Sequence, residues 1–139
     1  MRFWDASAIV PLILSEARSP VVEALYRSDP GIVAWWATRV ECRSAVERRL
    51  HASEITAAEA ARARADLARL FAAADEIDPA FVNRDEADRL LTAHPLRAAD
   101  ALQLAAALAW AAGREPACLD ARLRAAAQAE GLIALPPVL

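Results

Sequence analysis

Short apolar runs alternate with longer stretches of helical spacing along the 139-residue chain. The short runs have the length of strands, and the longer stretches place apolar residues three and four positions apart, as a helix does. This alternation predicts an α/β protein with a small parallel central sheet flanked by helices on both faces. The predicted strands are MRFW, IVAWW, EID, PACL and the start of LIALPPVL, and the predicted helices are DASAIVPLILSE, SPVVEALYRS, ATRVECRSAVERRLHA, SEITAAEAARARADLARLFAAADEI, AFVNRDEADRLLTAH, LRAADALQLAAALAWAAG and DARLRAAAQAEG.

One predicted helix is apolar almost all the way round and still contains a carboxylate. Within residues 98–112 only Asp100 and Gln103 are polar. A buried carboxylate without a partner is costly and takes up a proton, so we expect Asp100 to face a polar cleft or a cation. Its position, about two turns after Pro95, predicts that it lies too deep in the helix to cap it. The alternative for Asp100 is an ion pair with Arg97, one turn earlier.

Three further acids follow predicted strands. Asp5 comes directly after MRFW, Asp120 comes after PACL, and Glu41 lies in the first turns of the helix after IVAWW. In an open α/β sheet, ligands bind outside the carboxyl ends of the strands. We therefore expect these three acids and Asp100 to line one site.

Helix capping is the alternative role for each of these three acids. Asp5 and Asp120 stand where an N-cap belongs, because an Asp oxygen accepts from the free N–H groups of the first turn. The residues Thr38–Glu41 match the capping box T-x-x-E. A second match, Thr56–Glu59, has no proposed role beyond capping.

Converging carboxylates favour the chemistry of a divalent cation. They repel one another and raise one another's pKa unless a cation neutralises them. Mg²⁺ prefers such oxygen ligands, and two ions about 3.5–4 Å apart can clamp the oxygens of a phosphodiester. A serine hydrolase is disfavoured, because Ser7 lacks a histidine base: His51 and His94 both lie in polar segments near predicted helix ends.

The composition indicates one globular domain spanning residues 1–139. Hydrophobic residues make up 57% and charged residues 25%, which fits a soluble chain with a real core. No signal peptide or membrane span is expected, and Cys42 and Cys118 are predicted to be reduced and buried, as in a cytoplasmic protein. The net charge of -3 is unusual for binding nucleic acid through basic side chains alone. Acids committed to metal ions would remove that objection.

Four motifs in this order resemble the PIN domains, and among them the VapC-like toxins of bacterial toxin–antitoxin pairs. They are DASAIVPL, TRVECRSAVERR, LRAADALQLAAAL and CLDARLRAAA, and the resemblance covers essentially the whole chain. It implies a PIN-like fold with a divalent-metal site. The acids that match by motif position are Asp5, Glu41, Asp100 and Asp120, and the matching neighbours that orient or bind are Ser7, Thr38 and Arg97.

The resemblance also implies a function. Proteins of the toxin branch are endoribonucleases dependent on Mg²⁺ or Mn²⁺, which cleave RNA phosphodiesters with a metal-activated water. The implied partners are an RNA substrate, a small cognate antitoxin whose tail covers the groove, and a second copy of the chain in a homodimer. The implied location is the cytoplasm, with no membrane association.

Several residues near the predicted acids are candidates for contacts with RNA. Arg39 and Arg43 flank Glu41, and Arg97 lies near Asp100, so each is a candidate for a phosphate contact or else a solvated side chain. A tryptophan of IVAWW could stack on a base, although packing in the core is the favoured role, as it is for Trp4 and Trp110. The last motif has Cys118 where the family usually has Thr or Ser, which we expect to loosen the orientation of Asp120.

Three other functions stay open at this point. The first is a housekeeping RNA-processing nuclease of the PIN type. The second is a catalytically inactive PIN-fold binding module, against which the retention of all four acids argues. The third is an Asp-nucleophile phosphatase or dehalogenase, which is disfavoured because residue 7 is Ser where a second acid is required, and the chain contains no Lys.

Overall fold

The computed structural model of the protein describes residues 1–81, 84–110 and 115–138. Within these ranges the chain alternates strands with helices, as predicted. The strands are β1 (Arg2–Phe3), β2 (Ile32–Trp35) and β3 (Asp75–Ile77); the helices are α1 (Ala6–Ile13), α2 (Ser19–Ser28), α3 (Thr38–His51), α4 (Ala57–Ala72), α5 (Arg84–Ala93), α6 (Ala98–Ala109) and α7 (Ala121–Ala129), with a short 3₁₀ helix at Pro79–Phe81. Residues 82–83, near the predicted start of one helix, and residues 111–113, at the predicted end of another, lie outside the described residues.

The sheet is parallel and has the order β1-β2-β3. On the far side of β1 it is extended by single bridges, from Trp4 to Ala117 and from Ala117 to Leu135. The strands predicted in PACL and LIALPPVL are therefore each shortened to one bridging residue. Prolines explain the shortening, because Pro116 before Ala117 and Pro136 after Leu135 have no N–H to donate to a ladder.

Helices cover both faces of the sheet, which confirms the predicted α/β class. Successive strand side chains point to opposite faces. Trp4, Ile32 and Ala34 join a core formed with α1, α2, α3 and α4, whereas Phe3 and Val33 join a second core formed with α5, α6 and α7. The carboxyl ends of the strands are held between these two cores.

The start of α6 differs from the sequence prediction. Arg97 is extended, with φ −86° and ψ 161°, and α6 begins at Ala98. Asp100 is therefore in the first turn of its helix and is partly exposed, not deep inside it. The prediction was wrong because Pro95, whose fixed φ suits a first helical turn, lies before the helix in a break that follows α5.

A buried arginine ties α7 to the end of the described chain. Arg124 is 6% exposed, and its guanidinium donates to the carbonyl oxygens of Cys118 (2.8 Å), Ala134 (3.3 Å) and Pro136 (2.7 Å). These acceptors satisfy a charge that would otherwise be costly to bury. Arg124 thus fixes the loop that carries Asp120.

No helix in the part of the chain that the structure describes has the length and apolar composition needed to span a bilayer.

Candidate active site

A groove of about 730 Å³ opens at the carboxyl edge of the sheet; we call it the acidic groove after its carboxylates, although four arginines line it as well. Glu41, Asp100 and Asp120 line it, together with Ser7. Asp5 is not among the lining residues: it is 6% exposed and lies in the chain just before the groove-lining Ala6. Electrostatic repulsion nevertheless links Asp5 to Asp100 and to Glu41, so the structure brings the predicted acids to one region.

Asp5 is held by three donors on one oxygen. Its Oδ2 accepts from the Ser7 backbone N–H (2.9 Å) and the Ser7 hydroxyl, and the Cys118 thiol lies 3.6 Å away. The bond from the Ser7 N–H confirms Asp5 as the N-cap of α1. Burial raises the pKa of Asp5, and repulsion from Asp100 adds to this, while the three donors oppose it.

Ser7 joins two of the acid-bearing segments. Its hydroxyl oxygen accepts from the backbone N–H groups of Leu119 (2.8 Å) and Asp120 (3.1 Å) while its O–H donates to Asp5. All the hydrogen-bonding capacity of this hydroxyl is therefore used. Ser7 sets the position of the Asp120 loop relative to Asp5.

Glu41 faces the groove from α3 and is not part of a capping box. The helix is preceded by Ala37 as its N-cap, so Thr38 is already the first helical residue, and its side chain is fully buried. Gln103 donates to Glu41 Oε2 (3.1 Å) and to Thr38 Oγ1 (2.9 Å). Burial raises the pKa of Glu41, as does repulsion from Asp5 and Asp100, while the Gln103 bond lowers it.

Asp100 and Asp120 interact mainly with backbone N–H groups. Asp100 accepts from the Arg97 backbone N–H (3.3 Å), and no ion pair between the two side chains occurs in the described ranges. Asp120 caps α7, since its Oδ1 accepts from Arg122 and Leu123, each at 2.9 Å. Capping at Asp120 is therefore confirmed, and the alternative of an Arg97–Asp100 ion pair is not.

Cys118 contacts Asp5 and not the carboxylate of Asp120. Its sulfur lies 3.6 Å from Asp5 Oδ2 and 3.8 Å from the Ser7 hydroxyl oxygen, and burial raises the pKa of the thiol. The Asp120 side chain is held by its capping bonds to α7, and the loosening expected from Cys118 stays a prediction. Cys42 and Cys118 are both free and buried, as predicted.

Two of the three arginines predicted to contact phosphate lie away from the groove. Arg97 lines it. Arg39 and Arg43 are exposed but do not line it, and Arg43 is paired with Glu47. On a helix, side chains two positions from Glu41 point to the opposite side.

Other arginines, which lie outside the predicted phosphate contacts, do line the groove. They are Arg18, after α1, and Arg48 and Arg49 on α3. Arg48 is seven residues from Glu41, which is about two helical turns, so both point the same way. That helical spacing was the signal available in the sequence. Arg49 is paired with Glu16, which also lines the groove.

The tryptophans divide between core and surface. Trp4 is fully buried and Trp35 is 5% exposed, as expected for core residues, and Trp110 packs at the edge of the second core. Trp36, by contrast, is 54% exposed at the end of β2. The prediction of a core position was wrong for Trp36, because the sheet ends one residue before it.

The acidic set has the donor chemistry of a site for a hard divalent cation. All four ligand candidates are carboxylates, and none forms an ion pair with any described cationic side chain. Among residues 1–81, 84–110 and 115–138, no three His, Cys, Asp or Glu side chains converge closely enough to hold an ion by themselves. Mg²⁺ commonly keeps several waters and binds through one or two carboxylates, so the residues present fit such an ion.

The three-layered parallel fold and its acidic groove define a small α/β domain of the PIN type. No protein-family model matches the chain. It is 32% identical over 138 residues to Ribonuclease VapC45 of Mycobacterium tuberculosis (strain CDC 1551 / Oshkosh), and equally to Ribonuclease VapC49 of strain ATCC 25618 / H37Rv, covering 99% of this chain and 96% of each relative. The chain therefore belongs to the VapC family of ribonuclease toxins.

A solved structure supports the fold independently. The crystal structure of Mycobacterium tuberculosis VapC20, a Sarcin-Ricin loop cleaving toxin, superposes with a TM-score of 0.67 over 95% of this chain and 96% of that one. At 19% identity this likeness concerns the fold alone. Toxins of the VapC family act on RNA, pair with antitoxins and are generally dependent on divalent metal.

Proposed function

We propose that the protein hydrolyses RNA phosphodiesters in the acidic groove, with Mg²⁺ or Mn²⁺ as cofactor. The observation that carries this proposal is the collection of unpaired carboxylates around one groove, next to buried Asp5. Such a set is electrostatically unfavourable by itself, and a divalent cation relieves the repulsion. The alternative function, a catalytically inactive binding module, would not require these acids.

The proposed ligands of the cation are chiefly Asp5 and Asp100, with Glu41 and Asp120 binding it directly or through water. Bound divalent cations supply a more acidic water and positive charge for the phosphate. Ser7 holds Asp5 through Oδ2, which leaves Oδ1 for the cation. Thr38 holds the Gln103 amide, and α7 leaves Oδ2 of Asp120 free of the capping bonds.

The RNA backbone is proposed to follow the arginines of the groove. Arg18, Arg48 and Arg97 form no ion pair with any acid of the described chain, so they are available to phosphate. Arg48→Gln should weaken RNA binding and reduce the slope of log affinity against log salt by about 0.7, the value for one phosphate of a single strand. Arg43→Gln is the matched control on the opposite side of α3, and an equal loss in both variants would contradict this assignment.

The test of the proposed activity uses total RNA as substrate. Purified protein is incubated with Mg²⁺, with Mn²⁺ or with EDTA, beside an Asp100→Asn variant that keeps the acceptor for Arg97. Cleavage should require the ion and disappear in the variant. Equal cleavage by the variant, or cleavage in EDTA, would refute the proposal.

The proposed partners are a small antitoxin and a second copy of the chain, all in the cytoplasm. Expression of the protein alone should arrest growth, and co-expression of a small neighbouring reading frame should relieve the arrest. A molar mass measured by light scattering tests the homodimer. Metal-dependent cleavage with harmless expression would instead support a housekeeping role in RNA processing.

A further inference from the structure

A buried amide connects α6 to α3 directly behind the groove. Gln103 is 1% exposed and follows Asp100 by three residues, one turn along the same face of α6. Its Nε2 lies 3.1 Å from Glu41 Oε2 and 2.9 Å from Thr38 Oγ1, and the Thr38 hydroxyl is 3.2 Å from its Oε1. α6 therefore presents Asp100 to the groove and, one turn later, places Gln103 where it donates to Glu41 of α3.

We propose that Gln103 is a positioning residue that fixes the Glu41 carboxylate relative to Asp100 for binding of a divalent cation. This inference rests on the proposed function. Gln103 holds only Oε2 of Glu41 and leaves Oε1 to the groove. Because Asp100 and Gln103 share one rigid turn, the same bond sets the distance between the two acids.

The chemistry of the amide suits this task better than a charged donor would. An Arg or Lys at this position would pair with Glu41, cancel its charge and repel an incoming cation. The amide donates without adding charge, so Glu41 stays available as an anion. Partners behind metal ligands typically act in this way, and their loss costs about 10–100-fold in metal affinity or activity.

Thr38 completes the arrangement by holding the amide in place. Its hydroxyl is fully buried and lies within hydrogen-bond distance of both ends of the Gln103 amide. A hydroxyl both donates and accepts, so Thr38 can bond both ends of the amide, while the Glu41 carboxylate, which only accepts, selects the orientation in which the NH₂ group faces it. This role accounts for a buried polar residue at the first position of α3.

The test measures Mn²⁺ binding by isothermal titration, with cleavage of total RNA as a second readout. Gln103→Met keeps the length of the side chain and removes its donors. It should raise the dissociation constant for Mn²⁺ by about tenfold and slow cleavage by a similar factor. Leu104→Met, a volume-conserving change in the next core residue of α6, is the matched control and should leave both values near wild type.

A double variant separates positioning from structural support. In a Glu41→Gln background, Gln103→Met should change the Mn²⁺ dissociation constant by less than about twofold, because Gln103 acts through Glu41. Full additivity, or unchanged Mn²⁺ binding in Gln103→Met, would overturn the inference. If that variant does not fold, Thr38→Val tests the same contact, with Thr38→Ser expected to restore binding.

The outcomes also distinguish this inference from the proposed function. If Glu41→Gln leaves cleavage and Mn²⁺ binding intact, the proposed site itself fails. If Glu41→Gln impairs both and the Gln103 and Thr38 variants behave as wild type, only the positioning role fails.

Discussion

The pattern Thr-x-x-Glu occurs twice in this chain, and the two copies have different structures. At Thr56–Glu59 the two residues form a capping box on the surface: the Glu59 N–H donates to Thr56 Oγ1 (3.2 Å), and the Thr56 N–H donates to Glu59 Oε2 (2.7 Å). At Thr38–Glu41 the threonine is already inside the helix and buried, and the glutamate faces the groove.

The electrostatics of the two glutamates are opposite. Hydrogen bonds from the Thr56 backbone and hydroxyl lower the pKa of Glu59, whereas burial raises the pKa of Glu41. The four-residue pattern is the same, so the difference comes from packing. Burial of Glu41 outweighs the Gln103 bond, which by itself lowers the pKa, and Gln103 also bonds the Thr38 hydroxyl. The element that packs against a local motif therefore decides the function of that motif.

The largest expected difference between the copies is in catalysis. Glu41→Gln should reduce metal-dependent cleavage of RNA by at least about 100-fold, since a residue that contacts the cation should matter more than one behind it. Glu59→Gln, on the exposed surface of α4, should cleave at the wild-type rate. Single-turnover assays with both proteins at equal concentration measure this, and a similar loss in both would abolish the distinction.

The two threonines should also differ, and here it is the capping residue Thr56 whose loss lowers stability. Thr56→Val removes the N-cap of α4 and should lower the free energy of unfolding by about 1 kcal/mol with no change in cleavage. Thr38→Val should slow cleavage although it caps nothing. Urea denaturation followed by circular dichroism gives the free energies, and a Thr56 variant as stable as wild type would show that the capping box contributes little.

The smallest effect concerns the pH dependence of stability without divalent ions. The folded pKa of Glu41 is above its unfolded value near 4.5, so the unfolded chain binds fewer protons and stability falls as pH rises through that interval. Glu59 has a lowered folded pKa, so its contribution is present above the unfolded value and is lost as pH falls through the folded one.

Unfolding curves between about pH 3 and about pH 8 test these signs. Glu41→Gln should remove a decline toward neutral pH and raise the melting temperature at pH 7, a gain that Mg²⁺ should reduce by stabilising the wild type. Glu59→Gln should instead remove the stability that Glu59 contributes above the acid range. Identical pH profiles for the two variants would contradict the assigned shifts.

Much of the architecture follows from hydrophobic periodicity. The short runs around Phe3 and Val33 form strands buried on both faces, and the helical spacings place α2 and α3 close to their predicted ranges. Asp5, Glu41 and Asp120 were predicted from their positions after strands, Asp100 from its place in an apolar helix, and all four from motif resemblance. These signals are local, so a single sequence carries them.

What the sequence did not predict depends on contacts between distant elements. Gln103 is an ordinary polar residue in the sequence, and only the fold brings it within hydrogen-bond distance of Thr38 and Glu41 on α3. That Arg48 lines the groove and Arg43 does not depends on the direction of each side chain on α3 relative to the groove. The start of α6 was misjudged because Pro95 is compatible with a helix start, and only the extended backbone at Arg97 shows otherwise.

The anchoring of Arg124 has a practical consequence for handling the protein. Shortening the chain at Ala134 would remove carbonyl acceptors from a guanidinium that stays charged at any usable pH, and the disturbance would pass through Cys118 to the loop before α7. At the opposite end, only an exposed contact between the Met1 ammonium and Asp29 is at risk, and such surface pairs contribute little. Truncation at the carboxyl end should therefore disturb the Asp120 loop, whereas a change at the amino end costs this surface pair.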